Sequence, residues 1–131
     1  MKYMLDTNIC IYLMNHNENV LKKFFAERNH GVSISTITLA ELEFGIQNSA
    51  AQAKNRNKLS AFLPLVEIFS FDTEAAFHYG IIRAELERKG TPIGAMDTLI
   101  AAHAKSKELI MVTNNVREFD RIDGLKVENW V

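Results

Sequence analysis

The chain has 131 residues, 47% of them apolar and 24% charged, which is typical of one globular domain and excludes a disordered chain. A formal net charge of −1 excludes a broad, strongly basic surface for nucleic acid, although local clusters of lysine and arginine remain. Cys10 is the only cysteine, so no internal disulfide can form and the reducing cytoplasm is the expected location. No apolar stretch reaches the roughly 18 residues of a membrane helix, so no membrane association is expected.

In its first half, the chain alternates short apolar runs with segments of helical periodicity. The predicted elements are a buried strand at 2–5, helices at about 7–15 and 18–26, a strand at 32–35, a pair of helices at 39–48 and 51–62, and a strand at 66–71. Pro64 ends the second helix of that pair. Cys10 lies in the first helix and is predicted to be a small core residue.

The second half continues the alternation. Asp72 is predicted to cap a long helix that ends at Gly90. After it come a helix at 97–107, a strand at 109–112, a short helix at 116–122 and a strand at 125–128. Strands separated by helices imply an α/β fold with a parallel sheet and right-handed crossovers. No linker or repeat divides the chain, so we predict a single domain over residues 1–131.

Three carboxylates, Asp6, Glu41 and Asp97, each lie where a predicted strand or loop meets a helix, and the polar residues 113–115 follow a strand. Ligands of parallel α/β folds bind at the carboxyl ends of the strands, so these side chains could share one cleft. Carboxylates in one cleft repel each other unless a proton or a cation joins them. Oxygen ligands favour hard cations such as Mg²⁺ or Mn²⁺. The pattern therefore predicts a divalent-metal site with phosphoryl-transfer or nuclease chemistry.

Some of these side chains also have purely structural interpretations. Asp6 is well placed to cap the helix that follows it. Thr38 and Glu41 fit a capping box, in which Glu41 would reach back to the backbone N–H of Thr38. Asn115 could likewise cap a short helix with Glu118 at its third position. The sequence alone leaves the cap and ligand interpretations open for these residues.

Asp97 is harder to explain as a structural residue. It opens a helix that is apolar nearly all round, where a buried carboxylate needs a partner. The favourable interaction with the helix dipole, about 0.3–1 kcal/mol, is small beside the several kcal/mol that burying an ion costs. His103 lies in the same helix, and we predict a hydrogen-bonded core histidine rather than a metal ligand.

Six sequence blocks, in order along the whole chain, carry a family resemblance. They are MLDTN (4–8), STITLAEL (35–42) with Gly45, RAEL (83–86), GTPIG (90–94), DTLIAAHA (97–104) and VTNNVREF (112–119). The first block alone would be weak, but the blocks are specific as a set. The chain resembles the PIN-domain ribonucleases, and specifically the VapC toxins of bacterial toxin–antitoxin pairs.

The resemblance implies a three-layer α/β/α PIN-like fold with a central parallel sheet. It also implies that Asp6 and Asp97 are the principal metal ligands, that Glu41 completes the acidic core, and that Thr113 and Asn115 lie beside it. Many PIN domains carry a fourth acid where this chain has Asn115, so Glu118, one turn later, could supply the charge. Whether one or two metal ions bind stays open.

The implied activity is Mg²⁺- or Mn²⁺-dependent endoribonuclease cleavage of structured RNA, with tRNA the expected substrate, leaving a 5′-phosphate and a 3′-hydroxyl. The implied partners are a second copy of the chain and a small DNA-binding antitoxin, VapB, whose tail covers the cleft. Two alternatives remain. An aspartyl-nucleophile phosphohydrolase would need a second acid at position 8, which is Asn8. A non-catalytic α/β binding module would use its acids only as helix caps.

Overall fold

Five parallel strands form the centre of the protein, for which a computed structural model describes all residues from 1 to 131. The strands are β1 (Tyr3–Leu5), β2 (Val32–Ser35), β3 (Glu67–Phe69), β4 (Ile110–Val112) and β5 (Val127–Glu128). Their order in the sheet is β3-β2-β1-β4-β5, and every neighbouring pair is parallel. The strand order reverses at β1, which is the position where parallel α/β sheets open a crevice for ligands.

Seven helices surround the sheet. They are α1 (Thr7–Met14), α2 (Glu18–Glu27), α3 (Thr36–Gln47), α4 (Gln52–Phe62), α5 (Thr73–Arg88), α6 (Ala95–Ser106) and α7 (Val116–Phe119). Asp72 caps α5 as predicted, because its Oδ1 accepts the Ala75 N–H at 3.0 Å. Gly90, with φ of +69°, follows the end of that helix. None of the helices is both long enough and apolar enough to cross a membrane.

Two apolar cores, one on each face of the sheet, hold the helices in place. Side chains alternate between the faces of a strand, so Tyr3 and Leu5 join one core and Met4 joins the other. The first core contains buried residues of α1 to α4, including Cys10, and the second contains residues of α5 to α7. The predicted three-layer α/β/α arrangement with a central parallel sheet is thus confirmed.

The boundaries of several elements differ from the prediction. α3 begins at Thr36 rather than at residue 39, and α6 begins at Ala95 rather than at Asp97. In α3 the cap is Ser35, whose hydroxyl accepts the Ile37 N–H at 3.0 Å. α6 begins after Gly94 without a side-chain cap, so no capping residue marks its start in the sequence. β3 and β5 are shorter than their apolar runs because only part of each run pairs with a neighbouring strand.

Candidate active site

Four carboxylates from separate segments lie together beside the carboxyl ends of β1 and β4. Asp6 follows β1 directly, and its backbone N–H donates to the Val112 carbonyl at the end of β4, at 3.0 Å. The negative charges of Glu118, Asp6 and Glu41 each raise the pKa of Asp97. An effect of this kind requires all four side chains to share one electrostatic environment. The convergence that the strand ends predicted is therefore present in the structure.

Asp6 is a helix cap and a member of the cluster at the same time. It is 4% exposed, and its Oδ1 accepts the Ile9 N–H at 2.9 Å, which caps α1. Burial raises the pKa of Asp6 and the charge of Glu41 raises it further, while the hydroxyl of Thr113 and the N–H of Ile9 lower it. The cap uses one carboxylate oxygen, Oδ1, which leaves Oδ2 outside the cap hydrogen bond. The two interpretations of Asp6 are thus compatible.

Glu41 is not part of a capping box, so the structure excludes that one of its two interpretations. Because Ser35 is the cap, Thr38 is the third helical residue and Glu41 the sixth, too far along to reach the unpaired N–H groups of the first turn. Glu41 Oε1 instead accepts a hydrogen bond of 2.5 Å from the hydroxyl of Thr7, which is 34 residues away in the sequence. This bond directs Glu41 toward the start of α1 and hence toward Asp6.

Thr7 is the site residue that the sequence analysis did not single out. It is the first residue of α1 and directly follows Asp6, so its position in the MLDTN block was the available signal. A hydroxyl next to a carboxylate at the end of a strand can hold a second carboxylate in place. The identity of that partner, Glu41, depends on how α3 packs beside α1 and is not visible in the sequence.

Asp97 is the third residue of α6 and is partly buried. Its pKa is raised to about 6, first by burial and then by the charges of Glu118, Asp6 and Glu41. The positive end of α6 favours an anion at this position, but only by a few tenths to 1 kcal/mol, roughly. Because the pKa of Asp97 is raised, burial and repulsion must outweigh the helix dipole. None of the salt bridges in the structure includes a carboxylate of this cluster, so its negative charge is not paired with a basic side chain.

Asn115 does not cap α7 with its side chain, contrary to one interpretation of the sequence. Its side-chain Nδ2 donates to Glu118 Oε2, and its backbone N–H donates to the hydroxyl of Thr113 at 3.0 Å. Asn115 therefore orients Glu118, whose charge raises the pKa of Asp97 more than the charge of any other side chain does. The predicted substitution of Glu118 for a missing acid at position 115 agrees with this arrangement and stays a prediction.

The donor set suits a hard divalent cation. Asp6, Glu41, Asp97 and Glu118 offer only oxygen atoms, and the raised pKa of Asp97 reflects charge that a cation would compensate. As the side chains stand, no group of three carboxylates, imidazoles or thiols is arranged to hold a metal ion. An ion here would accordingly take one or two carboxylates and complete its shell with water, as Mg²⁺ commonly does.

A groove of about 280 Å³ runs between α1, α3 and α4 and reaches Glu41. Its lining is mixed, with apolar side chains along its length and polar side chains at intervals. The lining residues are Ile11, Met14, Asn15, Glu41, Leu42, Gly45, Ile46, Asn55, Lys58 and Leu59. Glu41 is the one member of the acidic cluster that lines this groove.

Known proteins resemble this chain along nearly its full length. A family model described as the PIN domain matches residues 3–125. The tRNA(fMet)-specific endonuclease VapC of Salmonella typhimurium is 45% identical over 130 residues, which are 99% of this chain and 98% of that protein. Ribonuclease VapC2 of Rickettsia felis is also 45% identical, over 132 residues that cover 99% of this chain and 98% of that protein.

Solved structures contain chains whose fold closely matches the fold of this chain. VapBC2 from Rickettsia felis, bound to a DNA fragment from its promoter, contains a chain with a TM-score of 0.96 and 43% identity, and both chains are covered completely. DNA-bound VapBC from Salmonella typhimurium gives a TM-score of 0.95 at 45% identity, covering 100% of this chain and 99% of that one.

Proposed function

This chain belongs to the PIN-domain family and, within it, to the VapC ribonucleases, and on that premise we propose that it is the toxin of a toxin–antitoxin pair. Its activity would be Mg²⁺- or Mn²⁺-dependent endoribonuclease cleavage that leaves a 5′-phosphate and a 3′-hydroxyl. The observation that carries this proposal is the uncompensated charge of four carboxylates at the switch point of the sheet. Such a site attracts a divalent cation, and the cation in turn attracts a phosphodiester.

Asp6 and Asp97 are the proposed metal ligands, with Glu41 completing the acidic core. When bound, the ion would supply a water of lowered pKa and offset the charge that develops on the phosphate. Thr7 holds Glu41 toward the cluster, and Asn115 holds Glu118 beside Asp97. These two hydrogen bonds preorganise the carboxylates, which reduces the reorganisation needed during the reaction.

RNA, and tRNA in particular, is the proposed substrate. The relatives from Salmonella typhimurium and Shigella flexneri, 45% and 42% identical to this chain, are both tRNA(fMet)-specific endonucleases by name. The chain lacks a broad basic surface, with a net charge of −1, so sequence-independent attraction to phosphates would be weak. Recognition would therefore depend on the shape of a presented RNA loop, with local lysine and arginine side chains fixing the backbone.

A VapB-type antitoxin is the proposed protein partner, acting in the cytoplasm. The solved relatives from Rickettsia felis and Salmonella typhimurium are VapBC complexes. The groove between α1, α3 and α4 leads to Glu41, so an antitoxin segment lying in it would cover the acidic cluster. Ile11, which is 42% exposed, and the partly buried Met14 would provide the apolar contacts.

We also propose a homodimer. Phe77 and Ile81, one turn apart on α5, are 64% and 41% exposed, and apolar side chains this exposed favour burial against another chain. Sedimentation equilibrium of the isolated toxin would measure the association. A protein that stays monomeric at micromolar concentrations would contradict this part of the proposal.

The two alternative functions lose their main support. In the binding-module interpretation Glu41 serves as a cap, but it makes no cap hydrogen bond and contacts Thr7 instead. The phosphohydrolase alternative needs an acid at position 8, where Asn8 is exposed. Of the three functions considered, the nuclease is the one that would use all four carboxylates of the cluster.

The decisive test is cleavage of total cellular RNA by the purified protein, with Mg²⁺, with Mn²⁺ and with a chelator. We expect metal-dependent fragments with 5′-phosphate ends, and loss of at least about 100-fold in rate for Asp6→Asn or Asp97→Asn. Both substitutions keep the side-chain volume, and circular dichroism would confirm the fold. Wild-type cleavage rates in either folded variant would remove the metal-site assignment.

A further inference from the structure

The junction between β2 and α3 is tied to α6 by a buried hydrogen bond. Ser35, the last residue of β2, caps α3 through the Ile37 N–H, and its Oγ also lies 2.7 Å from His103 Nδ1. Ser35 and His103 are both fully buried. This contact joins residues 68 positions apart and connects the helix that carries Glu41 to the helix that carries Asp97.

Further contacts hold this junction from the side of the β3–α5 loop. The Phe71 N–H donates to the hydroxyl of Thr36, the first residue of α3, at 3.1 Å. The Phe71 ring packs edge-on against the His103 imidazole, with ring centroids 5.4 Å apart and planes at 78°. The imidazole is thus held from two sides, by the Phe71 ring and by the Ser35 hydroxyl.

His103 is arranged to act as a neutral hydrogen-bonding group. The Ser35 hydroxyl accepts the Ile37 N–H and has one proton to donate to Nδ1 of the neutral ring, while Nε2 is buried without a partner. Burial lowers the pKa of His103; the charge of Asp72 opposes this and that of Lys107 adds to it. A protonated ring would leave a charged N–H buried and unpaired, which is costly.

We propose that His103 is a positioning residue for the nuclease site: through Ser35 it fixes where α3 starts relative to α6, and so sets the separation of Glu41 from Asp97. His103 lies six residues after Asp97, about 9 Å along the helix axis, so it does not touch the reacting groups. Loss of the hydrogen bond would free the start of α3 to move and would widen the spread of carboxylate positions. This inference rests on the proposed nuclease function.

The test compares three variants of the full-length protein with the wild type. His103→Leu removes the hydrogen bond but keeps an apolar side chain of similar size. His103→Asn keeps a polar group within reach of Ser35. Ile82→Ala, in the second apolar core, controls for loss of stability alone, because Ile82 is buried there and belongs neither to the acidic cluster nor to the contacts of His103 described above.

Two readouts are needed: the affinity for Mn²⁺ by titration calorimetry, and kcat and KM for RNA cleavage. For His103→Leu we expect about tenfold weaker Mn²⁺ binding and about tenfold lower kcat, with KM within threefold of the wild type. His103→Asn should recover both values to within about threefold. Ile82→Ala should melt at a lower temperature but keep the wild-type Mn²⁺ affinity and kcat.

Wild-type Mn²⁺ affinity and kcat in folded His103→Leu would overturn the inference, as would equal losses in Ile82→Ala. If His103→Leu does not fold, Ser35→Ala takes its place with the same expected losses, and wild-type values in that variant would overturn the inference equally. A wild-type protein that neither binds Mn²⁺ nor cleaves RNA would instead refute the proposed function itself. The two failures are therefore distinguishable.

Discussion

At the scale of single residues, Asp6 shows that a helix cap and a site carboxylate can be the same side chain. Its Oδ1 accepts the Ile9 N–H, and Asn can accept the same bond with its own Oδ1. The substitution Asp6→Asn therefore changes the charge of the cluster and leaves the cap intact. The sequence could not separate the two roles because the same residue type serves both.

We expect metal-free Asp6→Asn to be more stable than the wild type at neutral pH, by on the order of 1 kcal/mol. The reason is that burial and the charge of Glu41 both disfavour the ionised form of Asp6. Added Mn²⁺ should stabilise the variant less than the wild type, because ligand binding to the folded state is weaker. Thermal melts with chelator and with Mn²⁺ measure both effects. A clearly lower melting temperature for the metal-free variant would show that Asp6 is chiefly a cap.

The raised pKa of Asp97 predicts a pH dependence of stability in the metal-free protein. Between the ordinary value of 3.8 and the folded value of about 6, the folded state keeps a proton that the unfolded state has released. The free energy of unfolding therefore falls as pH rises through this range. Asp97→Asn removes this titrating group. The free energy of unfolding of the variant should therefore equal that of the wild type near pH 4 and exceed it by the full amount above about pH 7.

The size of that gain should be on the order of 1 kcal/mol, because Asp97 is partly exposed and solvent screens its charge. Urea unfolding of both proteins in chelator, at several pH values, gives the difference directly. A gain that is constant with pH, or larger at acidic pH, would mean that neither burial nor the neighbouring charges raise the pKa of Asp97 in the folded protein.

At the scale of elements, the start of α3 decides the role of Glu41. The block STIT offers two capping residues, Ser35 and Thr38, and either fits the local pattern. Ser35 is the residue that caps α3, because it ends β2 and also forms a hydrogen bond with His103, which is a tertiary contact. The sequence therefore predicted the helix but misassigned its first turn.

Glu41→Gln should leave stability within about 1 kcal/mol of the wild type, because Gln can still accept the Thr7 hydrogen bond. Ribonuclease activity should fall by about 100-fold or more, since the amide cannot replace the lost negative charge. Denaturant unfolding and RNA cleavage under the same buffer conditions test this pair of outcomes. Full activity in a stable Glu41→Gln protein would reduce the acidic core to Asp6 and Asp97.

Periodicity was enough to predict the five strands and the seven helices, and strand-end position was enough to place Asp6 beside the carboxyl end of β1. Glu41 lies in the second turn of α3 and not at a strand end, so its approach to Asp6 and Asp97 did not follow from that signal. Both signals are local, because a strand or helix shows its buried face in its own sequence. The contact of Thr7 with Glu41 and that of Ser35 with His103 each join residues at least 34 positions apart. Such contacts depend on how helices pack, so the sequence could not predict them.

At the scale of the whole molecule, two glycines allow a test of whether the antitoxin binds in the groove. A Cβ atom at Gly45 or at Gly80 would meet no atom within 4 Å, so both positions accept a side chain. Gly45 lines the groove between α1, α3 and α4, whereas Gly80 lies in α5 on the opposite face of the sheet.

We expect Gly45→Leu to weaken binding of the cognate antitoxin by at least about tenfold, because the leucine would occupy space that the partner needs. Gly80→Leu is the matched control and should bind with wild-type affinity. Both variants should be folded, since Leu is a better helix former than Gly. Titration calorimetry with purified antitoxin gives the comparison. Equal affinity in the two variants would place the antitoxin elsewhere.

The central position of β1 also has a consequence for protein synthesis. β1 is made first, yet one of its two neighbours, β4, begins at residue 110, and Thr113 follows β4. A nascent chain therefore lacks one wall of its cleft until residues 110–113 have been made, and at roughly 5–20 residues per second that interval lasts several seconds. We expect a chain released after residue 109 to unfold without cooperativity and to leave RNA intact. Cleavage activity would then arise only once β4 and Thr113 have joined the sheet.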